Sequence, residues 1–183
     1  MIFEPFGPFA LPRKDGAIDD SRKKEFWDSV NEECDSLPEA VGCYIFGMRA
    51  GKGFKPWYVG KTDKQCFKAR TWNDGTFRHF ERVLREHNGT PVVFLIAKRT
   101  PRGKFRKASG KNGRSGSIAA LEEMLIGTCL QRNPKLLNRK LVKYRQIHVP
   151  GYMNDKAGAR NKHAKALAEL LNTARSADNS RTY

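Results

Sequence analysis

The sequence predicts one mixed α/β (α+β) domain with appendages, and three observations point there. The chain has 183 residues, 39% hydrophobic and 10% aromatic, enough to fold around a core. Two strand-like segments, Gly42–Met48 and Trp57–Lys61, flank the turn-rich stretch RAGKGFKP, as in a hairpin. The continuous apolar run Val92–Ala97 suits a central strand buried on both faces, and helical patterns lie between and after these strands.

Taken in order, residues 1–20 carry Pro5, Pro8, Pro12, Gly7 and Gly16, which predicts an extended arm with Phe3, Phe6 and Phe9 available to pack on the body. Ser21 or Asp20 caps a helix to about Ser36, with Phe26, Trp27 and Val30 on one side. In the hairpin, alternation puts Tyr44, Phe46 and Met48 on one face and Cys43 and Ile45 on the other, so that Tyr44 and Tyr58 face one side together. Helical pieces follow near Gln65–Thr71 and Phe77–His87, and Asn88–Gly89–Thr90–Pro91 forms a turn. Ser117 caps a helix through Leu130, stopped by Asn133–Pro134. Leu141–Val149 is ambiguous, a final strand being one reading. Asn154 or Asp155 caps a last helix to about Ala174. The organisation expected is an arm and helix at 1–40, a core at 41–150, and a helix with a frayed tail at 151–183.

Charge is the first functional signal. Residues 1–40 hold ten acids and five bases, whereas residues 41–183 hold nine acids and thirty bases. So cationic a surface implies a polyanionic partner, with nucleic acid ahead of an anionic membrane face. Residues 98–117, KRTPRGKFRKASGKNGRSGS, hold eight bases and no acid. Lys98, Arg99, Arg102, Lys104, Arg106, Lys107, Lys111 and Arg114 read as a mobile clamp on phosphates, the alternative being a solvated loop. No apolar run is long enough for a membrane span, the N-terminus lacks a secretory pattern, and the four cysteines show no metal spacing. A cytoplasmic protein with free thiols and no membrane partner is expected. Oligomeric state is not readable.

One carboxylate stands out. On a helix over Ser117–Leu130, Glu122 falls inside the apolar arc of Ile118, Leu125, Ile126 and Cys129. A carboxylate there requires either a neighbouring Arg or Lys or a bound cation. One glutamate does not build a two-metal site, so a single Mg²⁺ or Mn²⁺, completed by waters and phosphate oxygens, is the metal reading. Tyrosine and arginine then remain to activate a nucleophile and to offset phosphoryl charge.

In order, Gly42–Cys43–Tyr44, Tyr58–Val59–Gly60–Lys61, Arg70, Leu121–Glu122 with Leu125–Ile126, and Pro134 with Asn138 resemble the GIY-YIG nuclease family, over roughly Val41 to Asn138. The resemblance implies a three-stranded, mostly antiparallel sheet flanked by helices and divalent-metal-dependent hydrolysis of DNA, most readily double-stranded. It implies Tyr44 and Tyr58 as the paired tyrosines, Lys61 after the second motif, Arg70 as the helix arginine, Glu122 as the metal ligand and Asn138 as the terminal asparagine. Cys43 replaces the usual Ile or Val. The gap from Tyr58 to Arg70 is longer than in many members, which brings Lys68 and Arg78 into competition with Arg70. Where a histidine often follows the arginine, this chain has Asp74, with His79 nearby.

The mechanism expected is an in-line attack by water, with Tyr44 as the base and Tyr58 positioning water or phosphate. A phenol has a pKa of ~10, so holding phenolate at neutral pH takes roughly 4 kcal/mol from Lys61, Arg70 and the metal. Arg70 donates to non-bridging oxygens, and Asn138 orders the site. The alternatives are a catalytically inactive nucleic-acid-binding module on the same fold, or a basic RNA-associated protein. Trp57 and Trp72 are read as core residues before base-stacking ones.

Overall fold

The computed structural model describes residues 1–51, 53–72, 74–108, 110, 115–138, 149–150 and 161–170, with backbone alone for 74–79. The chain divides into two compact units, Met1–Arg139 and Lys140–Tyr183.

The first unit is built on one antiparallel sheet. Its strands are β1 (Ile2–Ala10), β4 (Gly42–Ala50), β5 (Gly53–Thr62) and β6 (Thr90–Arg99), in the order β1-β6-β4-β5. A small ribbon of β2 (Arg13–Lys14) and β3 (Ala17–Ile18) follows β1. The fold class is as predicted, but the sheet has four strands, not three. The extra strand is the N-terminal arm, which pairs with β6 from Ile2↔Arg99 to Ala10↔Val92. Its prolines suggested an unpaired arm. An edge strand tolerates them because its outer N–H groups have no ladder partner to lose. The register shifts between Phe6 and Phe9, where Gly7 has φ 106°.

Helices α1 (Lys23–Glu33), α2 (Phe67–Arg70) and α3 (Asp74–Glu86) precede α4 (Gly116–Arg132). The apolar run Val92–Ala97 lies in β6, which is central between β1 and β4; Val93, Leu95 and Ala97 are buried on one face, whereas Phe94 and Ile96 on the other are only partly buried. The β4–β5 hairpin is longer than its sequence suggested: pairing continues to Ala50↔Gly53, and the turn centres on Gly51 at φ 56°.

Alternation divides the core by sheet face. Tyr44, Phe46, Met48, Val93 and Leu95 share one cluster with Phe26, Trp27 and Val30 of α1, Phe67 of α2, and Phe80, Val83 and Leu84 of α3. Cys43 shares another with Val41 and Ile118, against which Ile96, Leu121 and Leu125 pack. The sheet therefore lies between α1–α3 and α4. Each fully buried aliphatic or Phe side chain contributes about 1.5–3 kcal/mol. In the second unit, α5 (Lys162–Leu170) lies within the predicted last helix and buries Ala164 and Ala168. Leu141–His148, the start of that helix and the tail at 171–183 lie outside the described residues. Among the described residues, no helix is long and apolar enough to cross a membrane.

Candidate active site

The two glycines of the paired motifs have separate steric duties. A Cβ on Gly42 would lie 2.0 Å from the Ile96 carbonyl oxygen of β6, so only glycine lets β4 and β6 approach there. A Cβ on Gly60 would lie 2.3 Å from Cζ and 2.5 Å from the hydroxyl oxygen of Tyr44. Tyr44 and Gly60 are register partners, and the phenol ring of Tyr44 crosses directly over the bare Cα. Gly60 is therefore the seat of Tyr44.

Tyr58 pairs with Phe46 across the hairpin, which puts it diagonal to Tyr44 on the same face. Their ring centroids are 6.2 Å apart, tilted by 38°, and their side chains are hydrogen-bonded. The rings differ in access: Tyr44 is 1% exposed, whereas Tyr58 is only partly buried. Burial raises the pKa of Tyr58 above its ordinary 10.0; the Arg70 charge and the Tyr44 hydrogen bond pull it down, and the Glu122 charge pushes it up.

Arg70 is the last residue of α2, whose start is tied to the segment leading into β4 by Phe67 N–H donating to the Ala40 carbonyl at 3.0 Å. Of the two competing cations whose side chains are described, Arg70 is the one whose field acts on Tyr58. Lys68 is exposed, and the side chain of Arg78, like that of His79, lies outside the described atoms.

Glu122 comes from the second turn of α4. Its Oε2 is 2.7 Å from Lys61 Nζ, with side-chain exposures of 20% for Glu122 and 36% for Lys61. The glutamate on the apolar arc thus has the cationic partner that the sequence analysis weighed beside a metal. The bond raises the pKa of Lys61, against a smaller opposing effect of burial. β5 is the edge strand opposite β1, and Lys61 near its end meets α4 while Tyr58 lies within reach of the same carboxylate's charge.

Asn138 secures this edge. Its Oδ1 accepts from Val59 N–H at 2.8 Å, and its Nδ2 donates to the Val59 carbonyl at 2.6 Å. One side-chain amide thereby serves as a strand partner for the residue between Tyr58 and Gly60. Asn133 Nδ2 donates to the Pro56 carbonyl at 2.7 Å, and Leu137 N–H to the Trp57 carbonyl at 2.8 Å. The sequence identified Asn133 only as a helix stop. Its second duty was hidden because nothing local names a strand about 77 positions away.

The predicted basic stretch divides in three. Arg99 is held by Glu4 at 2.6 Å, and Lys98 Nζ donates to Ser115 Oγ and Ser117 Oγ at 2.9 Å each. Arg102, Lys104, Arg106 and Lys107 are exposed; Lys111 and Arg114 lie outside the described residues. Residues 98–107 are not an irregular loop but a hairpin, with Thr100 N–H donating to the Lys104 carbonyl and Arg106 N–H to the Lys98 carbonyl. Trp57 and Trp72 are buried, as core residues.

The donor set bears on the kind of cation that fits. Among the described residues, no group of three or more His, Cys, Asp or Glu side chains is placed to hold a metal. Glu122 is a partly exposed hard oxygen donor whose charge reaches Tyr58, and Asp63 adds a second carboxylate charge near Lys61. Such a set suits one Mg²⁺-like ion that keeps most of its waters and takes substrate oxygens, with Lys61 a competitor for the carboxylate. Comparison with protein families, with curated proteins and with solved structures gives no match.

Proposed function

We propose that the protein is a metal-dependent DNA endonuclease that hydrolyses phosphodiester bonds with one divalent cation. The observation that carries this reading is the hydrogen-bonded pair Tyr44–Tyr58, with the charges of Arg70 and Glu122 both acting on Tyr58 and Lys61 ion-paired to Glu122. Packing alone does not require two hydrogen-bonded phenols within the fields of a guanidinium and a carboxylate.

Glu122 would hold the cation, Mg²⁺ or Mn²⁺, which supplies charge stabilisation to the phosphoryl and leaving oxygens. The coupled phenols act as one base. The sequence reading put the base on Tyr44, but the exposures favour water arriving on the Tyr58 side, with Tyr44 donating to the phenolate. Burial opposes ionisation of Tyr58, so Arg70 and the substrate-bound site have to offset that cost as well as the roughly 4 kcal/mol inherent in a phenol at neutral pH. Arg70 donates to non-bridging oxygens as charge builds. Lys61, once released from Glu122, is a second phosphate donor.

The test is supercoiled plasmid incubated with protein and Mg²⁺, beside Glu122→Ala. The nuclease reading expects nicked or linear product from the wild type and none from the variant. Equal, undamaged plasmid in both lanes across DNA substrates supports an inactive binding module instead.

A further inference from the structure

Residues 98–107 form a short two-stranded ribbon in which the chain turns back on the last two residues of β6. Thr100 N–H donates to the Lys104 carbonyl at 2.8 Å, Arg106 N–H donates to the Lys98 carbonyl at 2.8 Å, and Arg99 bridges Phe105. Gly103 N–H closes the turn on the Thr100 carbonyl at 3.0 Å, with Gly103 at φ 76°. Pro101–Arg102–Gly103 is thus a three-residue hairpin loop ending in a left-handed glycine. The root is fixed by Val41 N–H donating to the Arg106 carbonyl at 3.0 Å and by the Ala40↔Lys107 bridge. Val41 directly precedes the strand that carries Tyr44.

The ribbon has two unlike faces. On one, the Arg99 guanidinium stands 3.8 Å from the Phe105 ring and 5.8 Å from that of Phe6. The Glu4 carboxylate closes this anchor. Alternation puts Lys104 and Arg106 on the opposite face, with Arg102 at the tip. All three are exposed, and among the described residues none has a carboxylate within ion-pair distance.

We propose that this ribbon is a DNA-binding arm that enters the major groove of a duplex and sets Arg102, Lys104 and Arg106 against phosphates. The proposal rests on the DNA reading above and names the surface that would hold the substrate. The B-form major groove, ≈ 12 Å wide, admits a two-stranded ribbon. The deep, narrow major groove of duplex RNA does not, which favours DNA among the polyanions.

The test is fluorescence anisotropy of a labelled DNA duplex without divalent metal, titrated with salt. It compares wild type, the triple variant Arg102→Gln/Lys104→Gln/Arg106→Gln, and Lys107→Gln from the other face, with thermal melts as folding controls. Each phosphate contact contributes roughly 0.9 to the log–log salt slope, so the triple variant loses about 3 in slope and roughly 10²-fold or more in affinity near 0.1 M salt. Lys107→Gln changes both far less. An unchanged slope in the triple variant overturns the arm, as does an equal loss in Lys107→Gln. Tighter ribbon-dependent binding of an RNA duplex overturns the choice of DNA. Because no metal is present, ribbon-dependent binding supports the arm even if plasmid is never cut.

Discussion

Gly60→Ala is the sharpest single perturbation of the site. The new methyl carbon would start 2.3 Å from Tyr44 Cζ and 2.7 Å from Cε2. Carbon atoms settle at about 3.5–4.0 Å, so the ring has to retreat by more than about 1 Å. The obstacle is the far end of a side chain, but that side chain is 1% exposed and packs edge-on against Phe46. Overpacking of this kind costs about 1–3 kcal/mol, which for a chain of this length lowers Tm by roughly 2–4 °C per kcal/mol. A displacement of ~1 Å at a reacting group costs about 10²-fold in rate, so cleavage should fall further than stability does. A double-mutant cycle measured by thermal melts isolates the contact. In a Tyr44→Leu background the methyl group has no ring to strike, so Gly60→Ala should cost little there. Equal destabilisation with and without the ring refutes the seat, as does a Gly60→Ala protein with wild-type Tm and wild-type cleavage.

Three further outcomes follow from the same edge of the sheet. Asn138→Ala leaves the buried N–H and carbonyl of Val59 without their partners, at about 1–3 kcal/mol each, and hydrogen exchange at the Val59 amide should accelerate accordingly; unchanged protection contradicts the strand-mimic role. Burial pushes the Cys43 thiol up to about 12 from an ordinary 9.0, and Cys129 up to about 11. Unfolding frees both thiols to ionise, so their stability contribution is intact below pH 9 and drains away as pH rises toward those folded values. Cys43→Val should therefore flatten the fall in Tm across that window, and an alkaline limb as steep as the wild type's would count against burial as its cause. Lys61→Met removes the ammonium that holds Glu122, so Mn²⁺ affinity measured by electron paramagnetic resonance should rise about tenfold, a change of ~1.4 kcal/mol. Unchanged affinity means that lysine and cation do not compete.

Much of the fold was legible because it is local. The hairpin, the central strand and α4 each carry their period within a dozen or so residues, and alternation alone put Tyr44, Phe46 and Met48 on one face. The β1 strand was not legible. Its prolines read as breakers, and its pairing with β6 depends on residues some ninety positions away. The site divides the same way. The ordered motifs identified which side chains to follow, and strand register brings the two tyrosines together. The sequence could not rank a salt bridge above a cation at Glu122, because Lys61 reaches it across the tertiary fold. Nor could spacing show that Gly60 exists for Tyr44 and Gly42 for a carbonyl of β6. The charge run at 98–117 suggested a uniform clamp. Its hairpin signal, TPRGK, is present in the sequence, but only the pairing shows that Arg99 faces inward while Lys104 and Arg106 face out.

The most direct measurement of the site's chemistry is single-turnover cleavage of an end-labelled DNA duplex with Mg²⁺, for wild type, Tyr44→Phe, Tyr58→Phe, Arg70→Ala and Glu122→Gln, at protein concentrations that saturate binding. Convergent chemistry at the β5 edge predicts a drop of about 10²-fold or more in each variant, with cut positions unchanged in whatever product remains. Cleavage by Glu122→Gln or by either phenylalanine variant at the wild-type rate would contradict it.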